Sequence, residues 1–101
     1  MVTLKTANEL NELIKNPKVL VEFCTEWSTP CKMIDMVLEE IENEQKDIIF
    51  IKVDIDRYRS IAKEYKVLNV PVICIISDGR VLKQQSGMMR KEELLDLIQQ
   101  F

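Results

Sequence analysis

Apolar positions fall into two periods along the chain. Leu10, Leu13 and Ile14 recur at helical spacing behind Thr6-Ala7-Asn8-Glu9, which has the form of a capping box. A short amphipathic helix is expected over residues 6–16, ended by Asn16-Pro17. Val19 to Cys24 is a nearly continuous β-branched and apolar run, as in a strand covered on both faces, and Glu22 is its single charge. Ile34, Val37, Leu38 and Ile41 then return at helical intervals behind Trp27-Ser28-Thr29-Pro30, giving the longest helix, which ends near Asn43 or Gln45. Ile48 to Asp54 reads as a second buried strand, and Ile61, Ala62 and Tyr65 mark a short helix after it. Val70 to Ile76 is a third strand, Ser77-Asp78-Gly79-Arg80 a hairpin turn, and Val81 to Gln85 the returning strand. Arg90 to Phe101, with Leu94, Leu95, Leu97, Ile98 and Phe101, is an amphipathic closing helix.

This order predicts an α/β fold. Two strand–helix–strand crossovers followed by an antiparallel pair make a mixed central sheet of four strands, or five with a short strand at Val2 to Leu4, with helices on both faces. No repeat or linker interrupts the pattern, so residues 1–101 are expected to form a single domain.

Composition narrows the function classes. The chain carries 14 basic and 17 acidic residues, a net charge of −3 that argues against nucleic acid as a partner. It has no histidine, which removes the commonest metal ligand and general base. Its three cysteines, Cys24, Cys31 and Cys74, match no zinc spacing and are too scattered for a disulfide scaffold, so no metal and no cofactor is expected. The first residues carry no cationic leader and the longest apolar run is far short of a membrane span, so a cytoplasmic chain with reduced thiols and no membrane contact is expected.

Chemistry concentrates between Val21 and Ile34, where a buried strand passes into a helix through Trp27-Ser28-Thr29-Pro30-Cys31. Unpaired N–H groups and the helix dipole favour negative charge at positions 28 and 31, and a thiol placed there ionises more easily. Ser28-Thr29-Pro30 is also an ordinary helix start, with serine as cap and proline in the first turn.

Trp27-Ser28-Thr29-Pro30-Cys31-Lys32 resembles the Trp-Cys-x-Pro-Cys-Lys motif of the thioredoxin family, with serine in place of the first cysteine. The resemblance spans nearly the whole chain: Glu22-Phe23 lies where the family has Asp-Phe, Val53-Asp54-Ile55-Asp56 is similar to its third strand, and Val70-Pro71 occupies the place of its cis-proline. Asp78-Gly79 and Ser86-Gly87 fit the last hairpin and the glycine of the substrate groove. The resemblance implies a thioredoxin fold and protein-disulfide oxidoreduction by dithiol–disulfide exchange. It places the nucleophilic cysteine at Ser28, the resolving cysteine at Cys31, and a buried proton acceptor and donor at Glu22. It assigns the substrate groove to Trp27, Thr29, Pro30, Val70, Pro71, Gly87 and Met88. Implied partners are disulfide-containing proteins and a thioredoxin reductase, met by a monomer.

Ser28 decides what the chain itself does. A hydroxyl is essentially never ionised near neutral pH and forms no durable bond to sulfur, so the dithiol cycle cannot run. One reading is a cysteine-to-serine replacement in an otherwise working site, favoured because the surrounding motif is consistent with catalysis. The other is a natural redox-inactive binding module. Cys24 and Cys74 read as small buried core residues. Glu22 reads either as the family's buried acid or as a strand carboxylate that reaches solvent or pairs with a lysine such as Lys52. Glu39, Glu40, Glu42 and Glu44 read as a solvated helix face, and Tyr65-Lys66-Val67 lacks the glycine usual in that loop of the family.

Overall fold

The computed structural model describes residues 1–101, and the elements follow the expected order. They are β1 (Val2–Thr3), α1 (Ala7–Leu13), β2 (Val19–Cys24), α2 (Thr29–Glu44), β3 (Ile49–Asp54), α3 (Arg59–Glu64), β4 (Val72–Ser77), β5 (Arg80–Ser86) and α4 (Lys91–Ile98). One sheet holds all five strands in the order β1-β3-β2-β4-β5. β1 and β2 run parallel to β3, whereas β4 is antiparallel to β2 and β5 to β4.

β2 lies at the centre of the sheet, and all six of its residues are buried. Successive strand side chains point to opposite faces. Val19, Val21 and Phe23 pack with Leu10 of α1 and Ile61 and Ala62 of α3. Leu20 packs on the other side, with Ile34, Leu38 and Ile41 of α2 and Leu94, Leu97 and Ile98 of α4. The same parity sends Glu22 and Cys24 toward α2.

Several boundaries differ from the pattern-based expectation, each for a local reason. α1 is shorter than residues 6–16. Thr6 caps it, its Oγ1 accepting from Glu9 N–H at 3.3 Å, and the Glu9 carboxylate accepts from Lys5 N–H at 2.8 Å rather than from Thr6. At the other end the Asn16 side-chain amide donates to Leu13 O at 2.9 Å, one of the carbonyls a longer helix would use. β3 begins at Ile49 rather than Ile48, and α3 spans Arg59–Glu64 rather than Ile61 to Tyr65. β4 begins at Val72 rather than Val70, because proline offers no N–H to the ladder; the Val70–Pro71 peptide is cis. The hairpin tip is reduced to Asp78 and Gly79, at φ +50° and +80°, the left-handed pair that a two-residue turn requires. Gly79 N–H donates to Ile14 O at 2.7 Å, which ties the tip to the end of α1. α4 starts after Arg90, whose N–H donates to the Glu93 carboxylate at 3.2 Å, and it closes at Ile98, short of Phe101.

Candidate active site

β2 delivers the chain to the site, and α2 receives it. After Cys24, residues 25–28 turn outward, and Ser28 enters α2 in an extended conformation at φ −82° and ψ 115°. Its Oγ accepts from Cys31 N–H at 3.2 Å, so serine is the N-cap, and Pro30 fits in the first turn because that turn needs no donor there. The helix-start reading and the motif reading therefore describe the same atoms. Trp27, on the turn, is 82% exposed, with Thr29 and Pro30 exposed beside it in sequence. Cys31 is turned inward and is 1% exposed.

Beneath the turn lies a group of polar side chains that the strand parity brings together. Cys31 and Asp35 are four apart on α2 and share its inner face. Glu22 and Cys24 face them from β2, and Lys52, the cross-strand neighbour of Glu22, joins from β3. The sulfurs of Cys24 and Cys31 and a Glu22 carboxylate oxygen all lie within 4.8 Å of one another. Cys24 is thus more than core filling: it is buried, its thiol donates weakly to Val53 O at 3.7 Å, and it borders the site. Cys74 belongs to the opposite face, among Val19, Val21 and Val72, and is core as expected.

Glu22 is the one fully buried charged residue, so the alternative in which it reaches solvent does not hold, nor does the one in which it pairs with Lys52. The Lys52 ammonium instead donates to Asp35 Oδ2. Neither oxygen of Glu22, nor Asp35 Oδ1, meets any other donor. A proton on Glu22 is the only donor available between the two acids, so the carboxylic acid is the form that satisfies the pair. Burial drives the Glu22 carboxyl well above the usual carboxylate range, the neighbouring Asp35 carboxylate adds to this, and Lys52 opposes it. Asp35, absent from the expected site residues, is signalled in the sequence by its spacing of four from Cys31 once the inner face of α2 is known.

The remaining expected residues lie on two segments, Val70–Pro71 and Gly87–Met88. The Val70–Pro71 peptide is cis, Pro71 is buried, and its carbonyl accepts from Gly87 N–H at 2.9 Å, joining the two segments. Gly87 holds φ +95°, which side chains rarely adopt, although a Cβ there would meet nothing within 4 Å. Val70 is half-buried, Met88 is exposed, and the adjacent Met89 turns into the α2–α4 core. None of the surface cavities is lined by Trp27, Cys31, Pro71 or Gly87; the largest, about 360 Å³, lies between Ile14, Tyr65 and Gly79 at the hairpin tip. The acidic side chains of α2 are largely solvated, but Glu40 and Glu44 also hold Lys91 of α4, and Glu42 holds the amino terminus at 2.9 Å.

Comparison with known proteins agrees with this architecture. The thioredoxin family model matches residues 1–100. A thioredoxin of Mycoplasmoides gallisepticum is 35% identical over 91 residues, covering 89% of this chain and 91% of its own length. A thioredoxin of Chlamydia caviae is 35% identical over 100 residues, 99% of this chain and 98% of that one. Among solved structures, mitochondrial thioredoxin 3 of Saccharomyces cerevisiae, in its oxidised form, superposes with a TM-score of 0.91 at 29% identity, covering 100% of this chain and 95% of that one. The chain belongs to the thioredoxin family, whose chemistry is thiol–disulfide exchange.

Proposed function

We propose that this chain is a protein-disulfide oxidoreductase of the thioredoxin type with serine in the place of its nucleophile, inactive as it stands and active once Ser28 is cysteine. The observation that carries this reading is the position of Ser28 Oγ, which caps α2 by accepting Cys31 N–H at 3.2 Å. A thiolate at that place receives the same N–H and the positive end of the helix dipole, whereas a hydroxyl stays protonated and makes no bond to sulfur.

The other roles follow in order. A thiolate at position 28 attacks a partner's disulfide and forms a mixed disulfide. Cys31, 1% exposed against 82% for Trp27 and unable to meet a protein partner first, resolves it from inside. Glu22, a buried acid within 4.8 Å of Cys31 Sγ, first gives up its own proton, then as the carboxylate takes the proton from that thiol and returns it as the cycle reverses. Trp27, Thr29, Pro30, Val70, Pro71, Gly87 and Met88 receive an extended segment of the substrate on a small, transient surface. The partners are disulfide-containing proteins and a thioredoxin reductase. A relative in Mycobacterium leprae, 37% identical over 84 residues, is named as a bifunctional thioredoxin reductase/thioredoxin, which supports that pairing. We place this function in a single domain over residues 1–101, monomeric and cytoplasmic; no helix is long and apolar enough to cross a membrane.

A second reading is a natural binding module that keeps the fold and the groove without electron transfer. The well-formed serine cap favours it, since serine needs no further explanation at that position. Insulin reduction in the presence of dithiothreitol separates the two. The Ser28→Cys chain is expected to accelerate it while the chain with serine does not exceed the uncatalysed rate. A folded Ser28→Cys chain that stays inactive would leave the binding module.

A further inference from the structure

Cys24 and Cys31 are free thiols on facing elements, the end of β2 and the first turn of α2, with their sulfurs within 4.8 Å. Cys74 packs on the other face of the sheet and cannot join them. Ser28 Oγ is engaged at the helix cap, so the sulfur beside Cys31 is that of Cys24. Each thiol is 1% exposed and no surface cavity reaches the pair, so a protein partner cannot meet either sulfur in this arrangement, whereas a molecule the size of a peroxide needs only a brief opening of the first turn. The hold on Cys24 is weak: a single long thiol contact to Val53 O at 3.7 Å. Bonding draws the sulfurs together to about 2.05 Å and adds no atoms to a packed region.

We propose that Cys24 and Cys31 are a second redox pair, which closes to an intramolecular disulfide when the reduced chain meets hydrogen peroxide or another small hydroperoxide. In the first step Cys31 gives up its proton and its sulfur attacks a peroxide oxygen. An S–O bond forms, the O–O bond breaks, and the departing oxygen leaves as water or alcohol after taking the proton that Cys31 gave up. Cys31 is then a sulfenic acid, oxidised by two electrons. In the second step Cys24 attacks Cys31 Sγ, forming the S–S bond as the S–O bond breaks. Glu22, within the same 4.8 Å, gives its proton to the departing hydroxide and receives the proton of the Cys24 thiol, so one water leaves and Glu22 is unchanged. In sum, two thiols and one hydroperoxide give a disulfide, water, and a second water or an alcohol. Burial and Glu22 push the Cys24 thiol up, which makes Cys24 the later partner rather than the first to react. The product ties the end of β2 to the start of α2 and shields Cys31 from irreversible oxidation. It requires no protein-disulfide activity and stands apart from the role given to Ser28.

The sequence makes the test direct, because no lysine or arginine lies between Lys18 and Lys32 and both cysteines fall in the tryptic peptide 19–32. The reduced chain is treated with stoichiometric hydrogen peroxide, blocked with iodoacetamide under denaturing conditions, and mapped by mass spectrometry without reduction. The expected result is peptide 19–32 unalkylated and lighter by two hydrogens, its halves still joined after cleavage at Glu26, with Cys74 alkylated and dithiothreitol restoring both thiols. Cys24→Ser should convert that product into Cys31 sulfinic acid or a dimer linked through Cys31. The proposal is overturned if the unaltered chain gives sulfinic acid at Cys31 with Cys24 free, a Cys31-linked dimer, or three intact thiols at excess peroxide.

Discussion

Glu22 shows how a single residue can be costly to the fold and useful to the site. Its carboxyl has no donor except its own proton, and its folded-state affinity for that proton is raised by burial and by Asp35. A carboxyl raised in this way contributes stability that is complete below its unfolded value of 4.5 and lost as pH climbs from there through the folded value. The folded chain binds the extra proton in that window, so the slope is negative, at most about 1.4 kcal/mol per pH unit. Urea unfolding at intervals from pH 5 to 8 should show midpoints that fall with pH. Glu22→Gln, which keeps the shape and removes the ionisation, should flatten that dependence; equal slopes in the two chains would contradict the assignment. Trp27 is the opposite case, 82% exposed and in contact with little of its own chain. Trp27→Ala should alter unfolding stability by no more than about 0.5 kcal/mol. In the Ser28→Cys background it should raise KM for a protein disulfide severalfold, and an unchanged KM would remove tryptophan from the groove.

Helix ends and strand parity are the elements on which the site depends, and they were unequally legible in the sequence. The capping pattern at Thr6, the apolar runs of β2 and β4, and the Asp78-Gly79 turn each rest on short-range chemistry, and each element is found where that chemistry points. Cys24 reads as core by hydrophobicity alone, because its burial is visible in the pattern and its neighbour is not. Period-two counting puts Leu20, Glu22 and Cys24 on one face, but which helix covers that face follows only from the sheet order β1-β3-β2-β4-β5. Lys52 was equally open: it lies beside Glu22 in the register, yet its ammonium reaches Asp35, a choice set by the approach of α2. Lys66 illustrates a departure from the family that has a price. It follows α3 at φ +57°, with its N–H donating to Lys63 O at 3.1 Å and Val67 N–H to Ala62 O at 2.8 Å, a helix ending that favours glycine. Lys66→Gly should therefore stabilise the chain by about 1 kcal/mol, read as a rise in the urea midpoint at unchanged slope. A fall in the midpoint would show that the lysine side chain makes a compensating contact.

Across the whole molecule, two apolar layers on either side of one sheet hold a small polar group at the carboxyl end of the central strand. The core positions the turn at residues 25–28, α2 presents its amino end to that turn, and β4, which follows the Val70–Pro71 segment, pairs with β2 up to Phe23, Pro71 and Gly87 being joined by a backbone hydrogen bond. The atom at position 28 caps α2 by accepting Cys31 N–H, a place that a thiolate fills as well as an oxygen does. The pH dependence of iodoacetamide alkylation at the thiol introduced by Ser28→Cys tests this most directly. The expected midpoint lies at least one pH unit below the ordinary cysteine value of about 8.5, with that thiol reacting well ahead of the buried Cys24, Cys31 and Cys74. A midpoint at or above the ordinary value in a folded chain would contradict it.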